Sequence, residues 1–191
     1  KAADAPAAVA RLARDPRLRG LRPMLQDHPD DAWIADTALA PAIAAMVAHD
    51  LAFDALVRPR QLPHLLTFAT RHPTLRIVID HGAKPAIGQG GSPGWRDALA
   101  ALARLPNVSC KLSGLLTEAE GGGHEAVRPY AEAILALFRP GRVIWGSDWP
   151  VLNLAGSYGA WLAQCQGLVP PADHDAVFGG NAVSFYRLDA A

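Results

Sequence analysis

The chain has 191 residues, half of them hydrophobic and 19% charged, which is enough for one domain with a substantial core and excludes a disordered chain. Its 18 basic and 18 acidic residues cancel, so nothing in the composition draws nucleic acid or an anionic membrane, and neither is expected as a partner. No apolar run approaches the roughly 18–20 residues of a membrane span, and two cysteines, Cys110 and Cys165, cannot build a disulfide scaffold.

In chain order, residues 5–14 read as a helix and 19–25 (RGLRPML) as a strand. A helix follows over 37–50, opened by the capping residues Asp36 and Thr37, with Leu39, Ile43, Met46 and Val47 on one face. Residues 52–57 (AFDALV) form the second strand. The helix over 62–72 carries Pro63 in its first turn and Leu62, Leu65, Leu66 and Ala69 at helical spacing. The third strand, 75–80 (LRIVID), is β-branched and bounded by Pro73 and Gly82. Ser92 and Pro93 start a helix with Trp95, Ala98, Leu99 and Leu102 on one stripe, and 107–112 (NVSCKL) is the fourth strand, with Cys110 as a buried thiol. A loop containing Gly121 to Gly123, and with it Glu118 and Glu120, precedes a helix striped by Val127, Tyr130, Ile134 and Phe138. Residues 142–145 (RVIW) are the fifth strand, and two or three helical pieces finish the chain.

Strands separated by helices of this length need crossover connections, which predicts a parallel α/β sheet. Neither a Gly-x-Gly-x-x-Gly after the first strand nor a Gly-x-x-x-x-Gly-Lys is present, which removes support for a nucleotide-binding fold. Five βα units fit an open sheet or an arc of a barrel equally well. Every strand exits into polar side chains: Gln26 and His28, Arg58 and Arg60, Asp80 and His81, Lys111 and Ser113, then Ser147, Asp148 and Trp149. In parallel α/β folds that edge is where ligands bind. Asp148, set between an apolar strand and Trp149, is expected to be partly desolvated and suited to general-base work, although alone it also reads as a helix cap. His81 follows a buried strand, where an imidazole ligates a metal or donates to a substrate oxygen. Lys111 alternates either into the barrel or towards the helices. The histidines at 49, 64, 72 and 174 read as surface, and Trp33 as a wall over a ligand or a packing residue. No Gly-x-Ser-x-Gly nucleophile elbow directly follows a strand.

Taken together, GLRPMLQ, VIDHGAKP, NVSCKLSGL, RVIWGSDWP and NAVSFYRL resemble, in that order, the later strands of the amidohydrolase superfamily. They look most like its amidohydrolase-related (amidohydrolase 2) branch, which hydrolyses lactones of sugar acids and of pyrone dicarboxylate. The resemblance covers nearly the whole chain and implies a TIM (β/α)8 barrel in which these strands are the fourth to the eighth. It implies that Asp148 activates the attacking water and that His81 polarises the scissile carbonyl or binds a metal. Arg58, Lys111, Gln26, His28 and Trp149 are the candidate substrate-binding residues. A divalent metal, with zinc the best suited, is implied for some members and none for others; if one is used, His81 and Asp148 are its ligands here.

Members of that branch open with His-x-His on the first strand, and none of the seven histidines is spaced that way. Residues 1–191 are therefore expected to be the C-terminal portion of one barrel domain, without its first three βα units, and the natural protein to be longer. The expected activity is hydrolysis of the ester bond in a lactone. Decarboxylation of an aromatic or unsaturated acid on the same scaffold, and a non-catalytic binding module, are the alternatives. A small-molecule lactone is the expected partner, a cytoplasmic location is expected, and the oligomeric state, a dimer included, is left open.

Overall fold

The computed structural model describes residues 1–188. Helices α1 (Ala5–Leu12), α2 (Ala40–Ala48), α3 (Leu62–Arg71), α4 (Trp95–Ala103), α5 (Leu115–Glu118), α6 (Gly123–Phe138), α7 (Tyr158–Leu168) and α8 (Asn181–Tyr186) alternate with strands β1 (Gly20–Leu21), β2 (Ala52–Ala55), β3 (Ile77–Ile79), β4 (Val108–Leu112) and β5 (Val143–Trp145). The strands form one parallel sheet in the order β1-β2-β3-β4-β5, every neighbour being the next strand in the chain. This is the strand order of consecutive βα units in a (β/α)8 barrel.

The strands are shorter than their apolar runs. Residues 19–25 contribute two strand residues and then one isolated bridge, Met24 to Leu56, because Pro23 between them has no N–H to give a ladder. Burial alternates along β4: Val108, Cys110 and Leu112 are buried, while Ser109 and Lys111 are partly exposed on the opposite face. The buried set packs under the helices with Ile77, Ile79 and Val143, against Leu65, Phe68, Leu99, Leu102, Ile134 and Phe138. Phe68 sits between Phe53 and His72, with ring centroids 5.0 and 4.9 Å away.

Long polar side chains tie down backbone carbonyls where the strands begin. Asn107 Nδ2 donates to the carbonyls of His72 and Leu75, each at 3.1 Å. Arg142 donates to Ala103, Leu105 and Val108, and Asn181 to Pro140 and Val143. These bonds satisfy carbonyls that the helices and strands leave free, and they hold α8 across the ends of the strands.

Three expectations change. Val47 is 38% exposed, because the apolar face of α2 is narrower than its composition suggests. Glu118 belongs to the short helix α5 and pairs with Lys84, so it is not a free loop side chain. His174 and His72 are half-buried, the first with its Nε2 against the carbonyls of Gln166 and Val169, the second against Phe68. Among the described residues, no helix is long and apolar enough to cross a membrane.

Phe68 is fully buried at the centre of the helix–sheet layer. Phe68→Ala should lower unfolding stability by about 3–5 kcal/mol through lost burial and the cavity left behind. Chemical denaturation measures this, and a cost below about 1 kcal/mol would mean that the layer repacks around the hole.

Candidate active site

His81 leaves β3 in a left-handed conformation. It is the first of four consecutive residues with positive φ: His81 at 53°, Gly82 at 55°, Ala83 at 63° and Lys84 at 51°. Such a turn costs roughly 1–2 kcal/mol at each non-glycine residue and persists only where neighbouring contacts impose it. Here the Trp95 indole donates to the Gly82 carbonyl at 2.8 Å, and the Lys84 amide returns to the His81 carbonyl at 2.9 Å. The Lys84 ammonium is anchored on Glu118 at 2.5 Å. Glycine suits position 82 on a second count, since a Cβ there would meet Ile134 Cδ1 at 2.6 Å and push that side chain aside.

Asp148 follows β5, also with positive φ, 58°. The Trp161 indole holds the preceding Gly146 carbonyl at 2.9 Å, the Asp148 carbonyl accepts from the Leu152 amide at 2.9 Å, and Trp149–Pro150 is cis. The carboxylate does not cap the turn Val151–Leu154, which has no side-chain cap; it faces the imidazole instead. His81 Nε2 and Asp148 Oδ1 are 3.5 Å apart, with side chains 14% and 13% exposed. The desolvation expected of Asp148 is therefore present.

β4 runs between β3 and β5, and its exit makes this meeting possible. Ser113, 1% exposed, places Oγ 2.8 Å from His81 Nδ1. Gly114, at φ 62°, lies under the ring, where a Cβ would sit 2.6 Å from His81 Cγ and Nδ1. Burial pushes the imidazole well below its ordinary range. The Asp148 charge opposes this, while Lys84, Lys111 and Arg22 act with the burial. The ring is thus neutral at neutral pH, and the rotatable Ser113 hydroxyl can donate to Nδ1 or accept from it.

The other candidates lie around this pair. Lys111 points to the inner face, with its ammonium on Asp54 and Asp80. Arg58 reaches Asp27 at 3.3 Å, and Arg60 reaches Asp31 at 2.7 Å and the Gln26 carbonyl at 2.9 Å, so the exits of β1 and β2 are laced together. Gln26 donates to Asp27, while its Oε1 is buried with no hydrogen-bond partner among the described residues. His28 stacks on Trp33, whose ring also faces the Lys1 ammonium, so Trp33 packs against its neighbours. Trp149 is 67% exposed on the rim. Cavities of about 590 and 330 Å³ open nearby, the first lined by Leu116, Thr117, Asn153 and Leu154, the second by Arg58, Lys84 and Glu118.

The structure brings His81, Asp148 and Ser113 into contact, and it keeps Gln26, Arg58 and His28 on the neighbouring exit loops. Sequence reasoning counted Ser113 among the polar strand exits without giving it a role, and singled out none of Gly114, Asp54 or Tyr186. A role for Ser113 was findable, since it stands two residues from Lys111 and so on the same face of the strand. Asp54, an acid inside the apolar run AFDALV, was findable too. Gly114 becomes evident only once the ring above it is placed.

Two donors 3.5 Å apart match neighbouring positions around a tetrahedral ion with ligands at about 2.1 Å. The described residues contain no cluster of three or more His, Cys, Asp and Glu side chains suited to a metal, so this pair could furnish at most part of a coordination shell.

A parallel α/β sheet with polar and ionisable side chains gathered at its C-terminal edge is the arrangement of a barrel enzyme. Residues 1–188 match the family model Amidohydro_2, described as amidohydrolase, and the chain belongs to that family. It is 58% identical to an L-fucono-1,5-lactonase of Burkholderia ambifaria, aligned over 99% of this chain and 68% of that protein. It is 38% identical to an L-fucono-1,5-lactonase of Burkholderia multivorans, over 96% of this chain and 68% of the relative. Among solved structures, an amidohydrolase from Burkholderia multivorans with bound zinc superposes with a TM-score of 0.90 at 37% identity, over 98% of this chain and 72% of that one.

Two outcomes test the site's geometry. Gly114→Ala should force the imidazole off Ser113, seen as a shift of the His81 ring resonances; an unmoved ring would show that the backbone gives way instead. The His81 signals of the native protein should stay those of neutral imidazole as pH falls through 6.5, the ordinary value. Because the folded-state pKa lies below the unfolded one, the contribution of His81 to stability is complete above that pH and declines as pH falls toward the folded value. His81→Asn should remove that part of the decline in a denaturation series.

Proposed function

We propose that this protein hydrolyses the ring ester of a sugar-acid lactone, with L-fucono-1,5-lactone the first compound to try. The 58% identity to an L-fucono-1,5-lactonase along 99% of the chain carries this reading and favours ester hydrolysis over decarboxylation. The His81–Asp148 geometry fits it.

Asp148 accepts a proton from a water molecule as the water oxygen adds to the lactone carbonyl carbon. The carbonyl oxygen becomes an oxyanion, stabilised by a donor placed where charge develops. Neutral His81 supplies that donor from Nε2 when the Ser113 hydroxyl donates to Nδ1. Collapse of the intermediate breaks the bond to the ring oxygen, and the proton held by Asp148 passes to that oxygen, giving the open hydroxy acid. Gln26, with its buried free oxygen, and the guanidinium of Arg58 orient hydroxyl or carboxylate groups of the substrate. His28 and exposed Trp149 line the mouth.

A divalent ion, zinc by its donor set, would be held through His81 Nε2 and Asp148 with further ligands, and it would polarise the same carbonyl. In that state Ser113 accepts from Nδ1–H, leaving Nε2 free to bind. The zinc in the similar Burkholderia multivorans structure supports this option. We also propose that these five units belong to a single barrel domain closed by further βα units between β5 and β1. Two observations support closure: each of these strands has one strand neighbour, and the chain spans 68% of its first two relatives.

Asp148→Asn in the full chain should keep the fold and KM while lowering kcat by at least roughly 10²-fold. Near-normal turnover would show that the carboxylate is not the base. Inactivity of the native protein toward a panel of sugar-acid lactones, with and without added zinc, would remove the lactonase reading altogether.

A further inference from the structure

The inner face of the sheet carries a charge cluster that none of the steps above uses. The Lys111 ammonium of β4 lies 2.6 Å from Asp54 Oδ2 on β2 and 2.7 Å from Asp80 Oδ1 at the end of β3. The Tyr186 phenol of α8 donates to the same Asp54 oxygen at 2.7 Å, and its ring centroid is 5.6 Å from the ammonium. Burial works against a charged ammonium here, but Asp80, Asp54 and Tyr186 together outweigh it and raise the basicity of Lys111. Burial, with Asp54 nearby, likewise keeps the Tyr186 phenol protonated.

Asp80 is 1% exposed and immediately precedes His81. One of its oxygens is on Lys111, and the other is buried with no hydrogen-bond partner among the described residues. Without Lys111, a buried carboxylate would stand unpaired at the root of the strained turn that aims the imidazole. The far end of that turn is anchored by Lys84 on Glu118 and its middle by Trp95, so the Asp80–Lys111 pair completes the set. Lys111 also stands two residues before Ser113, about 6.6 Å further down the strand than the residue that touches His81.

We propose that Lys111 is a positioning residue, which holds Asp80 and through it the left-handed turn of His81, and that it does not bind substrate. This replaces the substrate-holding role expected from the sequence. For its turnover readout the inference rests on the lactonase reading; its spectroscopic readout is independent of the substrate.

The test compares Lys111→Met, Lys111→Arg and Asp80→Asn in the full chain. Lys111→Met should lower kcat about 10²-fold, the scale of a misplacement near 1 Å, with KM unchanged and the His81 ring resonances shifted. Lys111→Arg, which can still span both carboxylates, should recover most of the loss. Asp80→Asn leaves Lys111 paired with Asp54 and replaces its ion pair with Asp80 by a weaker contact to a neutral amide, which loosens its hold on the turn. It should reproduce both the kcat loss and the His81 shift, and it serves if Lys111→Met does not fold. A rise in KM at constant kcat in Lys111→Met, or normal kcat in Asp80→Asn, would overturn the proposal in favour of substrate binding. If the native protein opens no sugar lactone, the lactonase reading falls. The His81 resonances then decide this inference alone: a shift in Lys111→Met and Asp80→Asn sustains it, and unmoved resonances overturn it.

Discussion

The contact between His81 and Asp148 depends on space above the exit of β4. Their strands are not neighbours; β4 lies between them, and sheet spacing puts β3 and β5 roughly 9–10 Å apart. The two side chains close that distance by leaning over the intervening strand end, which is open only because position 114 lacks a Cβ. The same strand end supplies Ser113, which holds the side of the imidazole turned away from Asp148. A single glycine and its neighbour thus decide whether β3 and β5 share a site.

That arrangement is held under strain. His81, Ala83, Lys84 and Asp148 all occupy the left-handed region without being glycine. Each is imposed by contacts from outside its own segment: Trp95 of α4 on Gly82, Glu118 of α5 on Lys84, and Trp161 of α7 beside Asp148. Large, rigid side chains do most of this holding, and each indole brings an N–H that satisfies a carbonyl the turn would otherwise strand. Helices that look merely structural therefore set the direction in which the imidazole and the carboxylate point.

The two faces of the sheet divide the work. The helix-facing side is almost wholly apolar, with Ile77, Ile79, Val108, Cys110, Leu112 and Val143 buried, and it supplies the burial that stabilises the fold. The inner side carries Asp54, Asp80 and Lys111 where many barrels place branched apolar residues. A buried charge cluster of this kind is weak evidence for stability. Its position under His81 gives it a role in geometry instead.

The sequence alone determined the order and type of the five strands, the apolar stripes of α3, α4 and α6, and the edge on which the polar exits gather. Those properties follow from periodicity and from the parallel crossovers that a βα alternation forces. It also marked His81 and Asp148, because each stands at the polar exit of a strand-like run. It could not tell whether Lys111 turned inward, since alternation fixes two faces without naming them, and only the packing of Val108, Cys110 and Leu112 against the helices settled that. Nor could it show that Tyr186 reaches Asp54, a contact spanning 132 positions, or that position 114 must be glycine. Such facts depend on which side chains the folded chain brings within a few ångströms, and local pattern carries no record of those distances.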